Sequence, residues 1–165
     1  AGDICQNGQC VVGIWTDLTS GLIWQLQPSG GAMSWSPATE HCQNLTLGGM
    51  TDWRLPTIGE LRTLVRGCPD TETDGSCNVV DDGCLSSNCQ NGSCGGCVYK
   101  DGPADGCYWP VDILGTCTWY WSSSFVEDPG SDCAWYIEYH LAYVNIFCDG
   151  FDDVLPVRCV HSPGG

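Results

Sequence analysis

The chain has 165 residues, which fits one domain with a core of its own. Twenty acidic and five basic side chains give a formal charge of −15, which opposes binding to nucleic acid, anionic lipid and sulfated polysaccharide. Fourteen cysteines, an even number and more than about 8% of the residues, are typical of an exported protein in an oxidising compartment.

No apolar run approaches the ~20 residues that span a bilayer, so we expect no membrane insertion. The first residues, Ala1-Gly-Asp, lack the basic and apolar regions of a signal peptide. We therefore expect a mature chain whose export signal has been removed and which lies outside the cell or at its surface. The whole chain, residues 1–165, is expected to form a single domain.

The N-terminal part predicts two local structures. Cys5 and Cys10 flank the turn dipeptide Asn7-Gly8, which favours a disulfide between them. Two apolar runs follow, at residues 11–16 and 22–26, on either side of a polar loop. These runs predict a β-hairpin.

Two helices are predicted next. Ser36 and Pro37 have the pattern of a helix N-terminus, and Cys42 follows at a spacing that should turn it toward the core. Thr57 and Glu60 form a capping box, in which each side chain accepts a hydrogen bond from the other residue's backbone. The capping box predicts the start of a second helix.

Residues 68–107, here called the cysteine-rich segment, are rich in Gly, Ser, Asn and Asp as well as cysteine and have almost no apolar periodicity. We predict an irregular insertion stapled by disulfides. Beyond it, WYWSSS, CAWYIEYHLAYVNIFC and LPVRCV alternate β-branched and aromatic residues with polar ones, which predicts three or more antiparallel strands. The order of hairpin, helices and strands indicates an α+β fold.

Several motifs resemble, in order, a bacterial domain family typified by the C-terminal domain of collagen-like adhesins. They are SGLIWQL, the helix SW..A..HCQNL, LGGMTDWRLPTIGELRTL, YWSSS, AWYIEY and PVRCV. The resemblance runs from about Gly21 to Val160 and is interrupted by the cysteine-rich segment. It implies a variant of the C-type lectin-like fold, related in shape to formylglycine-generating enzymes, with two helices packed on antiparallel sheets.

The resemblance also implies two disulfides. One would join the first helix to the last strand, Cys42 to Cys159, and the other would tie a strand pair, Cys133 to Cys148.

The motif DWRLP raises the question of whether it is scaffold or site. We expect Trp53 to fill the core beneath the second helix and Arg54 to pair with Asp52 or Glu60. The alternative is that Arg54 holds a ligand carboxylate.

The stretch DTETDGSCNVVD, residues 70–81, is similar to an EF-hand calcium loop, with oxygen-bearing side chains at the ligand positions and a glycine at the sharp turn. The predicted calcium ligands are Asp70, Glu72, Asp74, Ser76, Asn78 and Asp81. Cys77 at an aliphatic position and an aspartate in place of the final glutamate depart from the pattern. The alternative is a solvated acidic loop. A weaker acidic cluster comprises Asp149, Asp152 and Asp153.

Aromatic side chains on the strands and near them could stack on sugar rings, although alternation along a strand puts about half of them in the core. The predicted ligand-binding residues are Trp109, Trp119, Trp121 and Tyr139. Lectins of the C-type fold often bind sugar through calcium held by a Glu-Pro-Asn loop, and residues 127–130 read Glu-Asp-Pro-Gly instead. We therefore do not expect sugar binding mediated by calcium.

The histidines are scattered and no catalytic triad can be argued from spacing, so we do not expect an enzyme. The leading hypothesis is an exported binding module, an adhesin or a glycan-recognition domain, with calcium as a structural ion and a glycan or a surface protein as partner. One alternative is a subunit that assembles with copies of itself into an extracellular filament or surface layer. A second alternative is a redox enzyme similar to the formylglycine-generating enzymes, which would need free thiols.

Overall fold

The computed structural model describes residues 3–6, 9–148 and 153–163, with side chains from residue 13 onward. The helices are α1 (Trp35–Gln43) and α2 (Ile58–Arg62). The strands are β1 (Asp3–Gln6), β2 (Gln9–Val12), β3 (Ile14–Thr16), β4 (Ile23–Gln25), β5 (Ala32–Met33), β6 (Trp119–Phe125), β7 (Ala134–Glu138), β8 (Tyr143–Phe147), β9 (Leu155–Pro156) and β10 (Val160–His161).

All strand pairs in these sheets are antiparallel. The orders are β1-β2, β10-β4-β3, β5-β9 and β6-β7-β8. The predicted hairpin is confirmed, since β3 pairs with β4 in a register that sets Trp15 opposite Trp24. Strand β10 pairs with the other edge of β4 and so brings the end of the chain beside its beginning.

The capping box of α2 is confirmed, whereas α1 begins earlier than the sequence predicts. The Thr57 hydroxyl accepts from the Glu60 backbone N–H at 3.2 Å, and the Glu60 carboxylate accepts from the Thr57 N–H at 2.9 Å. The cap of α1 is Ser34 rather than Ser36, and Pro37 lies in the first turn, where its missing N–H leaves no acceptor unsatisfied. Cys42 is buried on α1, as expected.

The core consists of two hydrophobic clusters on opposite faces of the sheet β6-β7-β8. Along the central strand β7, Trp135 and Ile137 belong to the first cluster, which also contains the buried residues of α2. Ala134 and Tyr136 belong to the second cluster, which contains the buried residues of α1. Successive side chains of β7 point to opposite faces of the sheet, so the strand contributes to two hydrophobic clusters and not to one core and a solvent-exposed face. The prediction of helices packed on antiparallel sheets is confirmed.

Trp53 is buried, but it belongs to the second cluster, with α1, and not to the cluster of α2. The expectation that it lies beneath the second helix is therefore wrong.

Twelve cysteines among the described side chains form six disulfides. Two of them, Cys42–Cys159 and Cys133–Cys148, are the pairs that the resemblance implies. The other four bonds are Cys68–Cys97, Cys77–Cys94, Cys84–Cys89 and Cys107–Cys117. Cys5 and Cys10 are opposite each other in the β1-β2 register, but their side chains lie outside the described part, so their bond stays a prediction.

The cysteine-rich segment is irregular, with two short 3₁₀ turns at Ser87–Cys89 and Gly92–Gly95. Its buried cysteines pack into the first cluster beside the sheet and α2, so the segment shares the core of the domain. No helix of the described ranges is long and apolar enough to cross a bilayer.

Candidate functional site

One end of the sheet β6-β7-β8 carries aromatic and polar side chains in a single row. The register aligns Trp119 of β6, Glu138 of β7 and Tyr143 of β8, and residues opposite each other in a sheet point to the same face. In the next row, Tyr136 lies beneath the Trp119 ring, with ring centroids 5.3 Å apart and an angle of 25° between the planes. We call Trp119, Tyr136, Glu138 and Tyr143 the aromatic row.

Trp119 remains accessible because it stands at the end of β6, beyond the second cluster. Its exposed fraction is 37%, whereas Trp121, two residues along the same face, is completely buried. Tyr136 is 5% exposed and supports the Trp119 ring from below. The result is an indole ring with one face held by the protein and with part of its surface open to solvent.

The polar groups of the row are positioned by hydrogen bonds. Asn145 of β8 donates to the Tyr136 hydroxyl at 3.1 Å and accepts from the Gln90 side chain at 2.7 Å. Burial raises the pKa of Tyr136, and the hydrogen bond from Asn145 partly offsets that rise. Glu138 lies 3.9 Å from the imidazole of His140. The row therefore has a carboxylate beside the indole and a buried phenol beneath it, and the imidazole of His140 lies next to the row.

Three of the four predicted ligand-binding aromatic residues are buried, which corrects that prediction. Trp109, Trp121 and Tyr139 have exposed fractions of 4%, 0% and 0%. Tyr139 donates from its hydroxyl to the Leu61 carbonyl, and its ring lies 5.3 Å from that of Trp109. Both faces of the sheet are covered: Trp121 lies in the second cluster, and Trp109 and Tyr139 lie in the first cluster. Trp119 is the member of the predicted set that lies at the surface.

Several of the six predicted calcium ligands have hydrogen-bond partners within the protein. Asp70 accepts from the Ser76 hydroxyl at 2.9 Å, and Glu72 accepts from the Gly67 N–H at 2.9 Å. Asp74 and Asn78 have exposed side chains. Over the described ranges, no group of three or more His, Cys, Asp or Glu side chains is arranged to hold a metal ion.

Asp81, the predicted last calcium ligand, lies at the N-terminus of α2. Its carboxylate accepts from the Thr57 hydroxyl at 2.6 Å, from the Gly59 N–H at 3.0 Å and from the Ser124 hydroxyl at 2.8 Å. A Cβ at Gly59 would come within 2.3 Å of this carboxylate, so the glycine of the TIGEL sequence makes the close approach possible. Asp81 joins the cysteine-rich segment to α2 and β6.

Sequence reasoning missed the role of Arg62, a buried arginine in the last turn of α2. Its guanidinium donates to three backbone carbonyls of the cysteine-rich segment, those of Thr71, Glu72 and Val79, at 3.0, 2.7 and 2.5 Å. Burial lowers its pKa, and the charges of Asp81 and Asp74 oppose that effect. The segment is thus folded around a cation of the protein itself. The only sequence signal is an arginine in the otherwise apolar stretch LRTLV.

The structure answers the question about DWRLP. Arg54 forms a two-pronged pair with Glu60, at 2.6 and 2.5 Å, and also donates to the Ser162 hydroxyl at 2.8 Å. The hydrogen bond with Glu60 is the main cause of the raised pKa of Arg54. The sequence predicts either Asp52 or Glu60 as the partner of Arg54, and the structure shows Glu60. Because Arg54 is paired within the protein, the DWRLP motif is part of the scaffold.

The remaining arginines are also bound within the protein. Arg66 lies 3.6 Å from Asp17 in a cleft of about 540 Å³ beside the β3-β4 loop. Glu72 and Asp74 also line this cleft, so it contains more carboxylates than cations. Arg158 is 1% exposed and its guanidinium lies 5.1 Å from the Trp109 ring. It donates to the carbonyls of Gln25, Leu26 and Leu114.

The internal arginines leave the surface strongly anionic. Lys100 is the single lysine of the chain, and its ammonium group lies 5.2 Å above the Tyr99 ring. The electrostatic field outside the protein is therefore dominated by carboxylates, which repel a polyanionic ligand.

These features define a disulfide-rich domain of mixed α and β structure with an accessible aromatic row at one end of its central sheet. The family model described as the Lcl C-terminal domain matches residues 13–161. The chain therefore belongs to the Lcl C-terminal domain family, a bacterial family. No curated protein matches it significantly.

Proposed function

We propose that this chain is an exported binding module with a C-type lectin-like fold, which recognises neutral glycans outside the cell or at its surface in an adhesin role. The single observation that carries the proposal is the Trp119 ring, which stacks on Tyr136 and stands in one row with Glu138 and Tyr143. Six disulfides support an extracellular location, because such bonds persist in oxidising compartments.

The chemistry of the row suits a sugar. A pyranose has a face of C–H groups, which packs on an aromatic ring, and an edge of hydroxyl groups, which need hydrogen-bond partners. Trp119 offers the ring, Glu138 stands opposite it on β7, and Tyr143 stands opposite Glu138 on β8. An indole already held by Tyr136 loses little conformational entropy when a ligand covers it.

The charge of the protein selects among glycans. At −15 overall, and with two of its four arginines buried and the other two paired with carboxylates, the surface opposes sulfated or uronic-acid chains. A neutral or N-acetylated sugar avoids this repulsion. Calcium stays a predicted structural ion of the acidic loop and has no part in sugar binding here.

The test compares binding of a panel of neutral and sulfated glycans to the native protein and to two variants. Trp119→Ala removes the exposed indole, and we expect at least about 2 kcal/mol, or about 30-fold, weaker binding, as for a tryptophan at the centre of an interface. Phe125→Ala is the matched control, because Phe125 is an exposed aromatic residue at the other end of the same strand.

Binding of neutral glycans that Trp119→Ala abolishes and Phe125→Ala leaves unchanged would support the proposal. Equal affinity of the native protein and the Trp119 variant, or preference for sulfated glycans, would contradict it. A thermal midpoint for each variant ensures that folded proteins are compared.

A further inference from the structure

A second exposed aromatic ring lies beyond the aromatic row. Tyr99, at the end of the cysteine-rich segment, is 56% exposed, and its ring centroid lies 5.4 Å from that of His140. The segment is fastened to the turn after β7 by two backbone bonds, from Cys97 N–H to the Leu141 carbonyl at 2.7 Å and from Lys100 N–H to the His140 carbonyl at 2.8 Å. Tyr99 therefore stands on a backbone that is held against the sheet.

The two exposed rings are connected by polar side chains. Trp119 is opposite Glu138 in the register, Glu138 lies 3.9 Å from His140, and His140 contacts Tyr99. From strand spacing and rise per residue, the rings of Trp119 and Tyr99 are on the order of 10–15 Å apart. One pyranose ring does not reach across this distance, but several linked rings do.

We infer that the site takes a linear, uncharged oligosaccharide, with one sugar stacked on Trp119, another on Tyr99, and the sugars between them hydrogen-bonded to Glu138 and His140. This inference rests on the proposed function and adds the shape of the ligand. Two aromatic rings with hydrogen-bonding groups between them suit a linear chain of sugars. Each sugar has a flat C–H face that packs on a ring and an edge of hydroxyl groups that form hydrogen bonds. A chain of β-1,4-linked glucose or N-acetylglucosamine has this form, because all its ring substituents are equatorial and it extends nearly straight.

The charges around the row agree with an uncharged chain. The Glu138 carboxylate of the row lies 3.9 Å from the His140 imidazole, and the Lys100 ammonium group lies over the Tyr99 ring, so the proposed site contains one carboxylate, one imidazole and one ammonium group. A ligand with many negative charges would still meet the −15 field of the whole molecule.

The experiment measures affinity as a function of chain length. Glucose and N-acetylglucosamine oligomers of one to six units are titrated into the native protein, Trp119→Ala, Tyr99→Ala and the control Val98→Ala. Val98 is 68% exposed and precedes Tyr99, so its truncation changes the same surface segment without removing a ring.

We expect affinity to rise with length until the oligomer reaches both rings. Tyr99→Ala should lower the affinity of the longer oligomers about tenfold and leave that of the monomer and dimer unchanged. Trp119→Ala should weaken every length, and Val98→Ala none.

The outcomes separate the two proposals. If Trp119→Ala weakens binding but Tyr99→Ala does not change it at any length, the extended site is wrong and the glycan function stands. If Trp119→Ala has no effect on binding, both are overturned. If the native protein binds none of these oligomers, the extended site is wrong, and the panel of neutral glycans decides the proposed function.

Discussion

The cysteine-rich segment and the sheet β6-β7-β8 share one core cluster but are held together by different forces. The sheet has antiparallel ladders, with a register shift between Trp121 and Phe125, and buries aromatic side chains on both faces. In the segment, three internal disulfides, a fourth to Cys117 and the guanidinium of Arg62 fix a backbone of turns and isolated bridges. Irregular backbone leaves carbonyls that no ladder satisfies, so a buried loop needs another donor for them. Arg62 supplies that donor.

The largest expected effect on the free energy of unfolding comes from a disulfide that spans the domain, and it is compared with the effect of a disulfide within the cysteine-rich segment. Replacing Cys42 and Cys159 by alanine opens a link with a sequence separation of 117. The chain-entropy model predicts a loss of about 5 kcal/mol in the free energy of unfolding. The matched control replaces Cys84 and Cys89, separated by 5 residues, with a predicted loss of about 2 kcal/mol.

Chemical denaturation without reductant measures both losses. Equal losses for the two double variants would show that loop length does not decide the contribution of these disulfides, and that packing around the cysteines does.

The next largest effect tests Arg62 as the internal cation of the segment. Arg62→Met keeps much of the side-chain volume but removes the side-chain donor from the carbonyls of Thr71 and Val79, and we expect a loss of about 3 kcal/mol. The Glu72 carbonyl still accepts from the Gly75 N–H at 2.8 Å. Arg66→Met is the control, because Arg66 is partly exposed and the two carbonyls that it binds, those of Thr63 and Val65, lie close to it in sequence, so we expect a smaller loss than for Arg62→Met.

Hydrogen exchange gives the location of the Arg62 effect. The amides of residues 71–80 should exchange faster in Arg62→Met, while those of β7 keep their protection as long as the sheet stays folded. Similar stability of the Arg62 and Arg66 variants would contradict the role assigned to Arg62.

The smallest effect concerns calcium, the ion predicted for the acidic loop. If the site has millimolar affinity, calcium at about ten times its dissociation constant should raise the free energy of unfolding of the chelator-stripped protein by about 1.4 kcal/mol and its thermal midpoint by about 4 °C. Asp74→Ala should remove this shift, and Asp112→Ala, an exposed aspartate outside the loop, should not. A midpoint that calcium leaves unchanged would mean that Arg62 and the disulfides hold the loop without an ion.

Local patterns predicted the elements whose stabilising contacts are close in sequence. The hairpin β3-β4 follows from two apolar runs around a polar loop, and the start of α2 follows from Thr57 and Glu60, three residues apart. The resemblance supplied long-range information that no periodicity contains, such as the pairing of Cys42 with Cys159.

The candidate site was predicted less well, for a physical reason that Trp121 illustrates. Alternation states which residues share a face of a strand, but it does not state what covers that face. Trp119 and Trp121 share one face, and the second cluster covers only Trp121. Tyr99 escaped prediction because the segment that carries it is placed against the sheet by contacts distant in sequence.

The sequence by itself determined the acidic charge, the disulfide-rich composition, the capping box and the order of helices and strands, since each depends on residue types or on neighbours along the chain. The tertiary structure decided which carboxylates and guanidinium groups meet. The Asp81 carboxylate accepts from a backbone N–H of α2, and the Arg62 guanidinium donates to carbonyls of the acidic segment. Such pairings depend on distances in space between residues far apart in sequence, and only the folded chain sets those distances.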